Sequence, residues 1–430
     1  SLENTNLKVV KTKFFPDHYN YTADDLKALV ANAEGLQLIT TSKDYVKIGN
    51  KIKNLRVFSV ELKIDGEKEL MQFIMLPYTI HKNHKEWLPP LISDEWKIFD
   101  KTKNHSFEHC DNILYLAKKN DVIIGRIMGI INHTYNTGNK EKNVRFYGLE
   151  CYDDTQVYDK LITAIEVWGK QKGMDTIIGP LGFSDKDPQG FLIEGFKEPM
   201  TVMVTNHSFE YMINHTERNG YKKKLDIFQY SAKIPVKTPE IYQRIAERAT
   251  RNGYTVLEFK KSKQVRPFVN EVFNLINKTY KDIYGFAPLD DIEAKEFSER
   301  FLPLLKPQYI KLVKDETDKI VAFVVAMPDI SEGFKKAKGK LFPFGFVHIL
   351  RAFKKTNQLN LLLGCVDENI RNSGLVALMN IALLNSARAN NLTVLDSHLI
   401  LEENTKMRAV MERMEHRIYK KYRIFEKSLN

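Results

Sequence analysis

The sequence predicts an α/β protein built from two copies of one domain behind a small α/β segment, and three observations carry that prediction. The first is a repeat. Asp121-Val122-Ile123-Ile124-Gly125-Arg126-Ile127-Met128 reads as a turn and an apolar strand, as does Asp318-Lys319-Ile320-Val321-Ala322-Phe323-Val324-Val325, at an offset of 318 − 121 = 197. Glu217-Arg218-Asn219-Gly220-Tyr221-Lys222-Lys223 leads to Ile227-Phe228, while Glu412-Arg413 and Tyr419-Lys420-Lys421 lead to Ile424-Phe425, again with 424 − 227 = 197. Two matches at one spacing mark a duplicated unit. The second observation is that strand-like and helix-like periods alternate within each copy, which is the pattern of a mixed α/β plan. The third is that 430 residues with 43% hydrophobic content can bury the cores of two or three domains. No apolar run approaches the ~20 residues that a membrane-spanning helix needs.

Taken in order, Thr22 opens a helix over Ala23–Ala33, with Asp24 and Asp25 where carboxylates complement free helix N–H groups. Strand-like runs follow at Leu36–Thr40 and Leu55–Leu62, the first closed by a Thr40-Thr41-Ser42-Lys43-Asp44 turn. The domains are expected at 1–67, 68–234 and 235–430, with Pro235 and Pro239 around Lys237-Thr238 as the exposed linker. Each repeat reads as helix, two antiparallel strands, central strand, helix, strand, helix and last strand. The central strands are Arg145–Cys151 and Leu361–Val366, and the helix after the second runs over Ala377–Ala389.

Composition limits the function classes. A net charge of +11 favours acidic partners. No zinc-finger spacing, RNP-like aromatic strand or basic heptad helix is present, so nucleic-acid binding is not expected. Cys110, Cys151 and Cys365 are odd in number and far apart, which argues against a disulfide framework and for a reducing cytoplasm. Ser1-Leu2-Glu3-Asn4 shows no secretory signal. His81 and His84 have an i,i+3 spacing but no third ligand nearby, so no metal is expected and surface or pocket-edge places are. Cys365, with no His nearby, reads as a small apolar residue.

The chemistry concentrates after the second central strand. Val366 ends that strand, and Asp367-Glu368-Asn369-Ile370-Arg371-Asn372-Ser373-Gly374-Leu375-Val376 turns into a helix. Such a turn aims unpaired N–H groups and the positive end of the helix dipole at one point, which suits a pyrophosphate. Gly374 lets the backbone approach closely, and Arg371 adds a charge. In the first copy the same place reads Tyr152-Asp153-Asp154-Thr155-Gln156-Val157, with two carboxylates and no Gly, which disfavours an anion. Glu402 and Glu403 beside Asn404, and Glu150 at the first central strand's end, are candidate bases for an amine that must lose a proton before attack. The alternative for the Glu pair is a solvated helix start.

At these residues the chain resembles the GNAT superfamily of acyl-CoA-dependent N-acyltransferases, whose loop follows Arg/Gln-x-x-Gly-x-Gly/Ala. Arg371 to Leu375 fit, and Val376 departs from the last place. Leu399 to Asn404 resembles that superfamily's next strand and the Asn that starts the following helix. The seventh place after Asn404, where many members have a Tyr that protonates the CoA thiolate, holds Met411, leaving Tyr419, Tyr422 or water. The first copy keeps Asn206, Tyr211 and Gly220-Tyr221 and resembles a GNAT fold turned to structure or to shaping the acceptor pocket. From Met71 to Asn430 the chain resembles a group of double-GNAT bacterial proteins, through Leu76-Pro77-Tyr78, Trp87-Leu88-Pro89-Pro90-Leu91, Gly179-Pro180, Met327-Pro328-Asp329 and Tyr419-Lys420-Lys421-Tyr422-Arg423.

The resemblance implies acetyl-CoA or a longer acyl-CoA as co-substrate, bound by Val366, Arg371, Asn372, Ser373, Gly374 and Leu375. It implies Glu402, Asn404 and Glu150 as catalytic candidates, no metal, and an amine acceptor. Some relatives in that group are linked to ceramide synthesis, which extends the acceptor class to a long-chain lipid amine. Between Lys335 and Lys355, lysines flank Phe342, Phe344, Phe346 and Phe353, a composition for peripheral contact with an anionic inner membrane or for an inserted helix packed on the sheet. Phe14-Phe15-Pro16-Asp17-His18-Tyr19 and Leu38-Ile39-Thr40-Thr41-Ser42-Lys43-Asp44 resemble the C-terminal part of tetraacyldisaccharide 4′-kinase, the lipid A kinase. No Gly-x-x-x-x-Gly-Lys-Ser/Thr loop is present, so no kinase activity is expected of this chain. The function expected is acyl-CoA-dependent N-acyl transfer. The alternatives are a non-catalytic acyl-CoA or lipid-binding module and a fragment of a kinase fusion.

Overall fold

The computed structural model describes residues 10, 11, 13, 15, 19–41, 48, 51, 52, 56–58, 60–62, 66–201 and 206–430. Phe14, Asp17, His18 and the Ser42-Lys43-Asp44 turn lie outside the described residues. The helix Ala23–Ala33 forms as expected, closed by a capping box in which Thr22 Oγ1 accepts the Asp25 N–H and the Asp25 carboxylate accepts the Thr22 N–H. Strands β1 (Ile39–Thr41) and β2 (Arg56–Phe58) pair in parallel as a separate small sheet.

The remaining strands are β3 (Val60–Leu62), β4 (Cys110–Lys119), β5 (Val122–Asn132), β6 (Asn143–Cys151), β7 (Thr176–Gly179), β8 (Phe191–Glu194), β9 (Lys222–Lys233), β10 (Thr255–Glu258), β11 (Ile310–Lys314), β12 (Ile320–Pro328), β13 (Gln358–Val366), β14 (Val394–Asp396), β15 (Ile400–Leu401) and β16 (His416–Ser428). They join in one sheet, ordered β10-β11-β12-β13-β14-β9-β16-β7-β6-β5-β4-β3, with β15 on β9 and β8 on β16. The mixed sheets expected for the two copies are thus continuous. β3 belongs to this sheet, paired with β4, although it precedes residue 67.

Continuity comes from an exchange of last strands. β9, which ends the first copy, lies between β14 and β16, and β16, which ends the second, lies between β9 and β7. Their ladder has two-fold pseudosymmetry. Leu225 pairs with Ile424 and Ile227 with Tyr422, while the repeat offset makes Tyr422 the counterpart of Leu225 and Ile424 that of Ile227. Asp226 and Arg423, themselves counterparts, meet on the pseudo-dyad through Arg423 Nε–Oδ1 at 2.7 Å and Nη2–Oδ2 at 3.0 Å. Apolar groups cross with the strands. Phe425 and Leu429 fill the first copy's core, and Tyr230, Ala232 and Ile234 fill the second's.

Helical periodicity supplies the rest of those cores. Val157, Tyr158, Leu161, Ile162 and Ile165 of the helix Thr155–Gln171 point into the first, and Leu375, Met379, Leu383 and Ala387 of the helix Leu375–Ala389 into the second. β4 and β5 meet at Asn120-Asp121, both at positive φ, the backbone of a two-residue primed turn. In each copy the central strand is paired in parallel over three residues, Asn143 to Arg145 on β7 and Gln358 to Asn360 on β14. Beyond them β13 and the 397–401 segment diverge, because Ile400 and Leu401 pair with β9 instead. Each central strand also bulges, at Gly148 (φ +57°) and at Leu362.

Residues 335–355 form parts of two helices, Ser331–Ala337 and Gly345–Lys355. Phe334 and Ile349 pack with Leu88, Leu91, Met327 and Ile330, whereas Phe342, Phe344, Phe346 and Leu350 face outward.

Phe425 is fully buried in the core of the first copy although its strand ends the second. Phe425→Ala is predicted to cost about 3–5 kcal/mol. Hydrogen exchange should then speed up in β6 and β7 more than in β11 and β12.

Candidate functional site

The two helix ends that follow the central strands differ in what occupies them. In the first copy Asp154 caps the helix Thr155–Gln171, its Oδ1 accepting the N–H groups of Gln156 (3.0 Å) and Val157 (3.3 Å), and Asp153 meets His215 Nε2 at 2.9 Å. A fixed carboxylate therefore holds the positive end of that helix. In the second copy the N-cap is Gly374, with φ +83° and no side chain to bond the first turn. The first intrahelical bond runs from Leu378 N–H to the Gly374 carbonyl, so the N–H groups of Leu375, Val376 and Ala377 extend past the helix end. A Cβ at 374 would come within 3.0 Å of the Ile245 carbonyl oxygen and 2.8 Å of its Cγ2, in the helix Glu240–Arg251. Gly374 is thus required by backbone and neighbour alike.

The other loop residues frame this end. Val366 and Leu375 are buried, while Arg371, Asn372 and Val376 are exposed. Arg371 Nη2 donates to Glu368 at 2.8 Å, and the Ser373 N–H to the Ile370 carbonyl at 3.1 Å. Lys278 Nζ meets both oxygens of Asp367, at 3.0 and 2.8 Å. Burial pushes the thiol of Cys365, beside the loop, up to about 12, which keeps it a neutral thiol.

The three remaining candidates separate. Asn404 Oδ1 accepts the Met407 N–H at 3.1 Å and caps the helix Thr405–Glu412, on which Met411 is wholly buried. The Glu402 carboxylate takes the Asp226 N–H at 2.9 Å and Lys223 Nζ at 2.8 Å, which ties it to β9 of the first copy. Glu150, at the end of β6, faces His81 Nε2 at 3.2 Å.

His81 is buried, contrary to the surface or pocket-edge place expected of it, because the helix Glu67–Ile80 delivers it against Glu150 and the rings of Trp87 and Phe209. Its Nδ1 lies 2.8 Å from His84 Nδ1, so one of the two nitrogens carries the proton and the other accepts it. His84 in turn meets His207 edge to face. Burial, followed by the charge of His81, holds His84 down to about 4, and burial with the charges of His84 and Lys420 holds His207 down to about 3. Lys420 is buried and donates to the Pro199 carbonyl; burial lowers it to about 8 against the pull of Asp396.

Asp396 sits where β13 and β14 begin to diverge, opposite Asn360. It accepts Tyr419 Oη at 2.5 Å and Gln229 Nε2 at 2.8 Å, and burial raises it to about 7 despite both bonds. Glu150, His81, His84 and His207 form one cluster at the end of the first copy's central strand, and the Lys420 charge acts on His207 on one side and on Asp396 on the other. The i,i+3 pair His81/His84 was visible in sequence. Its partners lie 69 and more than 120 positions away, so only the exchanged sheet reveals them.

Because His84 and His207 have depressed values in the folded chain, their contribution to stability is complete above the ordinary value near 6.5 and is lost as pH falls toward 4 and 3. His207→Phe keeps a ring against His84 and removes one titration. Its Tm is predicted to fall less than the wild type's between pH 7 and pH 4, as thermal melts would show.

Residues 1–77 match the tetraacyldisaccharide-1-P 4′-kinase family. A tetraacyldisaccharide 4′-kinase of Rickettsia bellii is 42% identical over 76 residues, 17% of this chain and 24% of that kinase. Over most of its length the chain is similar to Protein YghO of Escherichia coli K12, 27% identical over 375 residues that cover 85% of this chain and 94% of that protein. It is also similar to a bacterial ceramide synthase of Caulobacter vibrioides, 25% identical over 370 residues, 84% and 95% of the two chains. Among solved structures, a tandem GNAT protein from the clavulanic acid biosynthesis pathway covers 86% of this chain with 99% of its own, at a TM-score of 0.50 and 9% identity. No helix among the described residues is long and apolar enough to cross a membrane. The chain therefore has a double GNAT fold, preceded by a segment like that of the lipid A kinases.

Proposed function

We propose that the protein transfers an acyl group from acyl-CoA to an amine, with the cofactor held by the second copy alone. The observation that carries this reading is the contrast between a helix end closed by Asp154 and one left open at Gly374. A diphosphate would meet the N–H groups of Leu375, Val376 and Ala377 and the Arg371 guanidinium, while Asn372 and Ser373 border it. The pantetheine would lie along Val366 in the wedge between β13 and 397–401. There the bulge leaves Leu362 without a ladder partner on β12, and a freed backbone N–H suits a developing oxyanion.

In this reading the amine passes its proton along His84 and His81 to Glu150 and attacks the thioester carbonyl. The C–N bond forms, the C–S bond breaks, and the CoA thiolate takes a proton from the Tyr419–Asp396 pair. Glu402 and Asn404 hold the second copy's last helix and β9 in place around that site. The similarity to a ceramide synthase supports a long-chain amine as acceptor. Phe342, Phe344, Phe346 and Leu350, exposed among Lys336, Lys340, Arg351 and Lys354, support contact with an anionic leaflet on the cytoplasmic side of the inner membrane. Met411, buried where a Tyr acid is common, favours a second reading in which the chain binds acyl-CoA without turning it over.

Val376→Glu places a carboxylate in the helix's first turn, where it is compatible with the fold and repels a diphosphate. It is predicted to abolish CoA binding by calorimetry with an unchanged circular dichroism spectrum; retained binding would refute the assigned loop. Glu150→Gln is predicted to keep palmitoyl-CoA binding and lower N-acylation of a long-chain amine by about 10²–10⁴-fold. An absence of turnover in the wild type would leave the binding-only reading. Phe342→Ser with Phe344→Ser is predicted to weaken cosedimentation with anionic vesicles and to leave CoA binding unchanged.

A further inference from the structure

We propose that His105, His109 and Asp290 form a site for a tetrahedral divalent metal ion of the zinc class, which fastens the two copies to each other. The site owes nothing to the acyl-transfer reading. His105 begins a 3-10 turn over His105–Glu108 and His109 ends it, so both imidazoles leave the first copy on one side. Asp290 begins the helix Asp291–Phe301 of the second copy. His105 Nε2 lies 3.1 Å and His109 Nε2 3.5 Å from the same oxygen, Asp290 Oδ2, and the three donor atoms all fall within 4.8 Å of one another. Bonds of about 2.0–2.1 Å in a tetrahedron separate neighbouring donors by roughly 3.3 Å, so two of these edges already have the required length.

The groups behind the donors point the same way. His105 Nδ1 faces the Glu108 carboxylate at 3.2 Å, an arrangement that fixes the ring and presents Nε2. Asp290 Oδ1 is committed to the N–H groups of Ile292 and Glu293, at 2.9 and 2.8 Å, which leaves Oδ2 directed at the imidazoles. Ser106 Oγ donates to Glu293 at 2.9 Å and holds the two segments in register beside the site. His109 and Asp290 are both more than two-fifths exposed, so an ion has an entry path and a fourth position for water. Without a metal, the same geometry is two imidazoles hydrogen-bonded to one carboxylate oxygen, which would also bridge the copies. The two cases differ in what they bind.

The test uses the full chain, free of any histidine tag and stripped with a chelator, titrated with Zn²⁺ by calorimetry and with Co²⁺ by visible absorption. The expected result is one ion per chain, a Tm that rises on adding Zn²⁺, and the strong visible bands of tetrahedral Co²⁺. His109→Ala, and Asp290→Asn, which keeps a capping side chain, should each weaken binding by more than about 100-fold and remove the Tm rise. Glu108→Gln should weaken it by about 10–100-fold. The proposal is overturned if neither ion binds, or if binding survives both His109→Ala and Asp290→Asn in variants with wild-type circular dichroism.

Discussion

The ladder between β9 and β16 is the constraint on which the rest of the molecule depends, because each strand ends one copy while completing the sheet and core of the other. Neither copy could close its sheet alone without leaving a gap beside β7 or β14. At the centre of the ladder the two counterpart residues, Asp226 and Arg423, have opposite charges. A symmetric dimer of one domain would place the same residue there twice, and like charges facing across a ladder are unfavourable. The complementary pair fits two copies that have specialised for each other within one chain. Burial pushes the Asp226 carboxyl up, but Arg423 and Lys223 more than offset this and hold it below the usual range.

Specialisation is also plain at the two helix ends. The same backbone plan presents a helix N-terminus after each central strand, and one side chain decides its chemistry. Asp154 supplies its own anion to the first copy, whereas Gly374 leaves the second copy's helix end without a side-chain cap. In the first copy Glu150 and His81 meet at the end of the central strand, and in the second Asp396 stands at the divergence point.

Much of this plan was legible in sequence because it is local. Thr22 and Asp25 announced the first helix, the strand-turn-helix at Val366 to Leu375 announced the open loop, and the 197-residue offset announced the duplication. What sequence could not give was registry between distant strands. Nothing in the sequence singles out Asp396, and only its pairing opposite Asn360 and beside β9 marks it as buried at the divergence point. The helix Glu67–Ile80 likewise hides His81 under rings from Trp87 and Phe209, the latter far along the chain. The Lys335–Lys355 stretch was ambiguous for a different reason: its composition serves both faces, and the structure buries Ile349 while exposing Phe342 and Phe344.

The most direct measurement of the central claim is hydrogen exchange of the full chain with and without saturating palmitoyl-CoA. A cofactor held by the second copy alone predicts slowed exchange across residues 366–378 and none across 152–158. Protection at 152–158, or no protection in either segment, would contradict it.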